Sequence, residues 1–300
     1  MKYLLFIFAI FFATNSLADY KIKFSNGNIK IPQKKEQLKF VKISAGDYHN
    51  NTLKSDGIII SWGSDSFSTT PQGGYFIDID SMAYKGIALK DNGEIISWNN
   101  SVSPSGSDYI DISGGNSHAV AIKEDGSLKS FGNNNYNQVS ATPSGNDYVS
   151  VSAGAYHSIA LRSNGSVVGW GFNYSGQAGG VSSGVKGISA GGSFNVALKE
   201  DGSIYAWGEN YDGQVGNRPR SGVYKSIAAG YRHAYAITED GEVVGWGNDI
   251  YNQISDIPPG NDFVDVVAGK YHGVALREDG TVVSWGYDNN GQVSDNPTLE

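Results

Sequence analysis

The chain has no cysteine. That excludes a disulfide framework, thiol catalysis and thiolate metal sites. It also excludes a bacterial lipoprotein, which needs a lipid-bearing cysteine. Basic residues are outnumbered, 22 Lys and Arg against 30 Asp and Glu, giving a net charge of −8. No basic stripe or tail is visible, so nucleic acid is not an expected partner, because phosphate binding rests on Lys and Arg. An acidic surface permits a basic protein partner. No apolar run reaches the roughly 20 residues of a spanning helix. No stretch keeps a 3.6-residue period over a useful length.

Catalytic signatures are missing as well. There is no phosphate loop, no His-Glu-x-x-His and no Asp-x-Asp-x-Asp-Gly loop. Gly180-Val181-Ser182-Ser183-Gly184 matches Gly-x-Ser-x-Gly. That motif works on a strained strand-to-helix turn, and no helix is expected after it here. The chain is read as no enzyme, with no cofactor and no metal.

Residues 1–18 read as a targeting segment. Lys2 is the positive start, residues 4–13 are apolar, and Ser16-Leu17-Ala18 presents small residues for cleavage after Ala18. The expected product is secreted or periplasmic, without a membrane anchor, and monomeric. Residues 19–40 precede the rest as a strand pair and connector. Tyr20–Phe24 and Asn28–Ile31 alternate around Asn26-Gly27, which predicts a hairpin. It is expected to pack on the first or last blade, or to donate a closing strand.

From residue 41 to 300 the sequence repeats. Val149 to Gln177 reads VSVSAGAYHSIALRSNGSVVGWGFNYSGQ, and Val264 to Gln292 follows the same order. Seven copies align, with a spacing of 37 residues from Gly154 to Gly191 and 39 from Gly191 to Gly230. All six tryptophans fall at one position, at Trp62, Trp98, Trp170, Trp207, Trp246 and Trp285, with Phe131 in the third copy. All five histidines share another: His49, His118, His157, His233 and His272. Lys85 and Phe194 replace it in copies two and five. Copy two is short and degenerate, with Met82 in place of the usual Gly and Asn99 after its Trp.

The recurring Ala-Gly-x-x-His, Ala-Leu-(Lys/Arg)-x-x-Gly and Trp-Gly-x-Asn-x-x-Gly-Gln resemble the regulator of chromosome condensation repeat family. The resemblance covers residues 41 to about 294. It implies an all-β protein, a seven-bladed β-propeller. In its compact repeats the chain is similar to bacterial secreted members, including secreted β-lactamase inhibitor proteins, more than to the nuclear exchange factor.

Each blade is expected to hold four strands. Val149, Val151 and Ala153 alternate in the first, and a short fourth run starts at the Gln, as in Gln138-Val139-Ser140. The Asn-Gly or Asp-Gly dipeptides supply the positive φ of tight hairpins. The Trp rings are expected to fill the layer between neighbouring sheets. The histidines are expected to stabilise their turns, since groups spread one per blade do not converge on one ion.

Strand parity places the first turn and the loop after Trp-Gly on one face. The first turns supply Tyr48, Tyr84, Tyr156, Tyr231 and Tyr271, beside Arg232 and Lys270. The loops supply Phe67, Tyr136, Phe172, Tyr174, Tyr211, Tyr251 and Tyr287. Tyrosine among Asn, Gly and Ser resembles the composition of protein-binding loops. The other face reads as ordinary turns. The expected function is therefore an exported, non-enzymatic module that binds a protein partner through this aromatic face, with inhibition of an extracytoplasmic enzyme as one form. Guanine-nucleotide exchange on a small GTPase and carbohydrate or cell-surface binding are the alternatives.

Overall fold

The structure is a computed structural model and describes residues 23–25, 28–30, 38–64, 70–71, 73–98 and 103–299. The expected leader, the connector over 31–37, Phe67 and Asn99 lie outside the described residues. The chain divides into two compact units, Met1–Gln37 and Leu38–Glu300. In the first, Lys23–Ser25 pairs antiparallel with Asn28–Lys30, the hairpin that Asn26-Gly27 predicts. These two strands form a sheet of their own. The donated closing strand is therefore absent among the described residues.

The second unit is a seven-bladed β-propeller, with seven antiparallel sheets and no helix among the described residues. Each sheet uses three consecutive strands. In blade 4 these are an inner strand Tyr148–Ala153, a middle strand His157–Arg162 and an outer strand Val167–Gly171. The other inner strands begin at Phe40, Phe76, Tyr109, Val185, Tyr224 and Phe263.

Two expectations fail inside the blade. The fourth strand is not formed. Gln138-Val139-Ser140 is a turn, because the Val139 and Ser140 amides bond to the Asn134 Oδ1, each at 2.9 Å, and not to a strand. Only an isolated bridge, Val167 to Val181, marks where a fourth strand would lie. That bridge falls inside the Gly-x-Ser-x-Gly match, and the next element is a strand at Val185. The inner strand also does not alternate throughout. Its register skips the second residue, so Val149 is 55% exposed while Val151 and Ala153 are each 7% exposed. A bulge has re-aimed that side chain.

Apolar burial concentrates between blades. Seven core clusters are present, each joining one blade to the next. One couples blade 7 (Val274, Leu276, Val282) to blade 1 (Phe40, Ile43, Trp62). The Trp rings sit in these layers as expected, although Trp207 is only half-buried. Their indole N–H groups have a further role. Trp170 donates to the Gln138 carbonyl of the preceding blade at 2.9 Å, Trp246 to Gln214 at 2.9 Å and Trp285 to Gln253 at 2.9 Å. Trp62 donates to Gln292 at 3.1 Å, which closes the ring with the same bond that joins its other members.

The histidines also bond across the interface instead of within the turn. His157 Nε2 lies 2.8 Å from Asn195 Oδ1, His118 Nε2 2.8 Å from Ser158 Oγ and His272 Nε2 2.6 Å from Asn50 Oδ1. Their rings explain the preceding glycine. A Cβ on Gly154 would stand 2.4 Å from His157 Cε1 and 2.4 Å from the Gly191 carbonyl of the next blade.

The inner strands surround a cavity of about 270 Å³ along the propeller axis. Its wall carries a belt of polar side chains that tie one blade to the next. Ser113 accepts from the Ala153 amide, Ser152 from Ala190 and Ser189 from Ala229. Asp80 accepts from Gly114 in the same way.

Candidate functional site

The loop after Trp-Gly is held from beneath by its own buried glutamine. Gln138, Gln177, Gln214 and Gln292 are fully buried, and Gln253 is 1% exposed. Each accepts at Oε1 from the amide two residues earlier, as Tyr136 to Gln138 and Asp212 to Gln214, both at 2.8 Å. The Asn or Asp three residues after Trp clamps the far arm. Asn210 accepts from Val215 and Gly216, and Asp288 from Val293 and Ser294. A buried amide that is fully engaged rigidifies its surroundings. The loop therefore has a fixed base and a free tip.

The tip is the fourth residue after Trp. It is Tyr174 in blade 4, 85% exposed, Tyr211 in blade 5, 79% exposed, and Ile250 in blade 6, 75% exposed. Ile250 escaped the sequence reading because only aromatics were sought, although its register is that of Tyr174. These three tips stand on consecutive blades.

The other expected residues fall into two groups on the same face. Tyr136 contacts Tyr156 and Phe172 at ring distances of 5.3 and 5.0 Å. The second group runs through blades 6, 7, 1 and 2. Tyr251 packs on Tyr271 and Tyr287, both at 4.9 Å, Tyr287 reaches Tyr48 at 6.3 Å, and Tyr48 reaches Tyr84 at 5.8 Å. Lys270 is the hub. Its Nζ lies 5.2 Å from the Tyr48 ring, 5.4 Å from Tyr271 and 5.6 Å from Tyr231, a cation–π arrangement.

Charge on this face is internally paired. Lys270 meets Asp47 at 3.4 Å, and Arg232 meets Asp212 at 3.4 Å and Glu209 at 3.6 Å. Burial opposes the Lys270 charge, but Asp47 and the Tyr48 hydroxyl outweigh it and hold the ammonium above its usual range. Lys270 is thus a bracing residue of the mouth, with its side chain 19% exposed, and Arg232 is the more open of the two at 44%. Tyr48, Tyr231, Tyr271 and Tyr287 are half-buried, whereas Tyr84, Tyr136, Tyr156 and Tyr251 are 38–46% exposed. The structure brings all twelve expected residues to one face and separates supports from exposed tips.

Among the described residues, no group of three or more His, Asp or Glu side chains is arranged to hold a metal ion.

The model of the regulator of chromosome condensation (RCC1) repeat matches residues 109–138, 148–177, 185–214, 224–253 and 263–292. The chain belongs to this repeat family. The matched segments are blades 3 to 7, from the inner strand to the buried glutamine. Among solved structures the chain is similar to the ectodomain of the Physcomitrella patens receptor kinase CR4, at 19% identity and a TM-score of 0.70, over 83% of this chain and 73% of that one. It is similar to the CRINKLY WD40 ectodomain of the Arabidopsis thaliana receptor kinase ACR4, at 20% identity and a TM-score of 0.70, over 88% and 99%. Human WBSCR16 matches at 17% identity and a TM-score of 0.54, over 85% and 78%. No curated protein matches the chain.

Proposed function

We propose that the protein is an exported, non-enzymatic binding module that seizes a protein partner with the loop tips of blades 4 to 6. One observation carries this reading: Tyr174 and Tyr211 are 85% and 79% exposed on loops whose bases are locked by buried glutamines. A large ring that faces water on a rigid support loses little entropy on binding. Tyrosine is also a favoured anchor of interface hot spots. Export rests on the leader pattern of residues 1–18, with cleavage after Ala18. An enzyme outside the cytoplasm is the partner class proposed, with the propeller capping its active site. Export counts against exchange on a cytosolic GTPase.

The test uses the secreted chain and a Tyr156→Ala, Tyr174→Ala, Tyr211→Ala variant as paired baits on the same envelope fraction. A protein retained by the first and lost by the second, with unchanged thermal unfolding, supports the reading. Equal retention by both baits discards it. Binding to a glycan array that needs the same tyrosines would replace the protein partner with a carbohydrate.

A further inference from the structure

The face opposite the aromatic loops carries a feature that turn chemistry does not explain. Every inner strand skips its second residue in the pairing register. Such a residue gains nothing from ladder pairing, so a polar side chain serves there. Blades 5 and 6 have one, Lys186 and Lys225, both exposed. The other five have Val41, Ile77, Ile110, Val149 and Val264, which are 42–55% exposed. Eight Val and Ile side chains of the described protein are exposed in all. Five of them at one structural position, on five consecutive blades, is a continuous apolar arc and not scatter.

The residue after each of these turns into the axial channel. In blades 7, 1, 2 and 3 it is Asp265, Lys42, Asp78 and Asp111. Lys42 is spoken for by its ion pair with Asp78. Asp111 and Asp265 make no ion pair among the described residues. Burial pushes both carboxyls up to about 6, so each ionised group gains from any cation brought near it. In blades 5 and 6 the same position is Gly187 and Ser226, without charge. The apolar arc and the under-neutralised carboxylates therefore coincide on one side of the mouth, and Lys186 and Lys225 bound it on the other. Those two ammonium groups would turn an incoming cation toward the acidic side.

We propose that this crescent is a second docking surface, which takes a segment of a partner protein carrying a lysine or arginine flanked by apolar side chains. The apolar neighbours cover the Val and Ile arc, and the cation enters the mouth beside Asp111 and Asp265. Charge complementarity sets the choice of occupant, because an acidic or purely apolar segment leaves the two carboxylates desolvated without a counter-charge.

The probes are three short fluorescein-labelled peptides, alternating Leu-Lys, Leu-Glu and Ser-Lys, titrated with the full protein at pH 7.5 and followed by anisotropy. The Leu-Lys peptide is expected to bind at least about tenfold tighter than either of the others. Ile110→Ser with Val149→Ser, and separately Asp111→Asn with Asp265→Asn, should each weaken it about tenfold. Tyr174→Ala with Tyr211→Ala should leave it unchanged, which separates this surface from the aromatic face. The Ser changes are at exposed positions, and the Asn changes remove charges that burial disfavours, so thermal unfolding should not fall. Absence of Leu-Lys binding, equal binding of all three peptides, or loss only in the tyrosine variant overturns the proposal. So does sedimentation showing a dimer that Ile110→Ser with Val149→Ser converts to monomer, since the arc would then be a contact between copies.

Discussion

Replacing His157 with phenylalanine should destabilise the propeller at pH 7 and be nearly neutral at pH 5. Asn195 donates from Nδ2 to the Gln177 carbonyl at 2.8 Å, so its Oδ1 faces His157. The imidazole therefore carries its proton on Nε2 and donates it across the interface. Its Nδ1 is buried without a partner, packed where Gly154 lacks a Cβ. Burial accordingly lowers the pKa from 6.5 to about 4. Between those values the unfolded chain binds the proton and the native one does not, so stability falls as pH falls through that window. At pH 5 the loss is about 2 kcal/mol, from the ratio of unfolded to native protonation. Phenylalanine does not titrate. It does remove one hydrogen bond and leaves the Asn195 oxygen buried, at about 1–3 kcal/mol. The ring itself fits, because Phe194 already occupies the same position in blade 5, packed against Gly191 as His157 is against Gly154. Urea unfolding followed by Trp fluorescence at both pH values measures the difference. A destabilisation of about 2 kcal/mol at pH 7 should shrink toward zero at pH 5. The same value at both would refute the assignment of a neutral, acid-sensitive interface histidine.

Two glycine substitutions should separate crowding from backbone strain. Gly154→Ala drives a Cβ to 2.4 Å from both a ring carbon and a backbone oxygen, and soluble folded protein should be lost; Gly176→Ala meets nothing within 4 Å at φ +78°, and should cost only about 1–2 kcal/mol in urea titration. Trp285→Ala should cost about 3–5 kcal/mol, since the ring is 3% exposed, packs on Tyr235 at 5.1 Å and donates to Gln253; a loss below about 1 kcal/mol would mean that the layer collapses to fill the gap.

The phase of the repeat was legible because the residues that set it are chemically distinctive. Trp, His and the turn glycines each stand at one place in the copy, and that place is an interface or a hairpin. The partners of these residues were not legible. His157 meets Asn195, His118 meets Ser158 and His272 meets Asn50. Each partner lies in the next copy and differs in kind, so no local pattern marks it. The fourth strand was misread for a related reason. Val139-Ser140 looks like the start of an alternation, but Asn134 five residues earlier captures its amides. Val149 was misplaced because a bulge shifts the period by one, and alternating Val-Ser-Val gives no sign of the slip.

The distribution of burial decides what the family assignment says about function. Each core cluster lies between blades, and each loop is fixed by a glutamine whose carbonyl also receives the next blade's indole in blades 3, 5, 6 and 7. Stability therefore stops at the base of the loop. The tip four residues after Trp contributes nothing to that lattice, and blades 3 to 7 fill it with Asn135, Tyr174, Tyr211, Ile250 and Asn289. A residue set by packing does not vary from amide to ring to aliphatic within one chain on identical supports. These five side chains answer to something outside the propeller. The bulge residue on the opposite face obeys the opposite rule, five aliphatics and two lysines on one arc, so the two faces are built for different contacts.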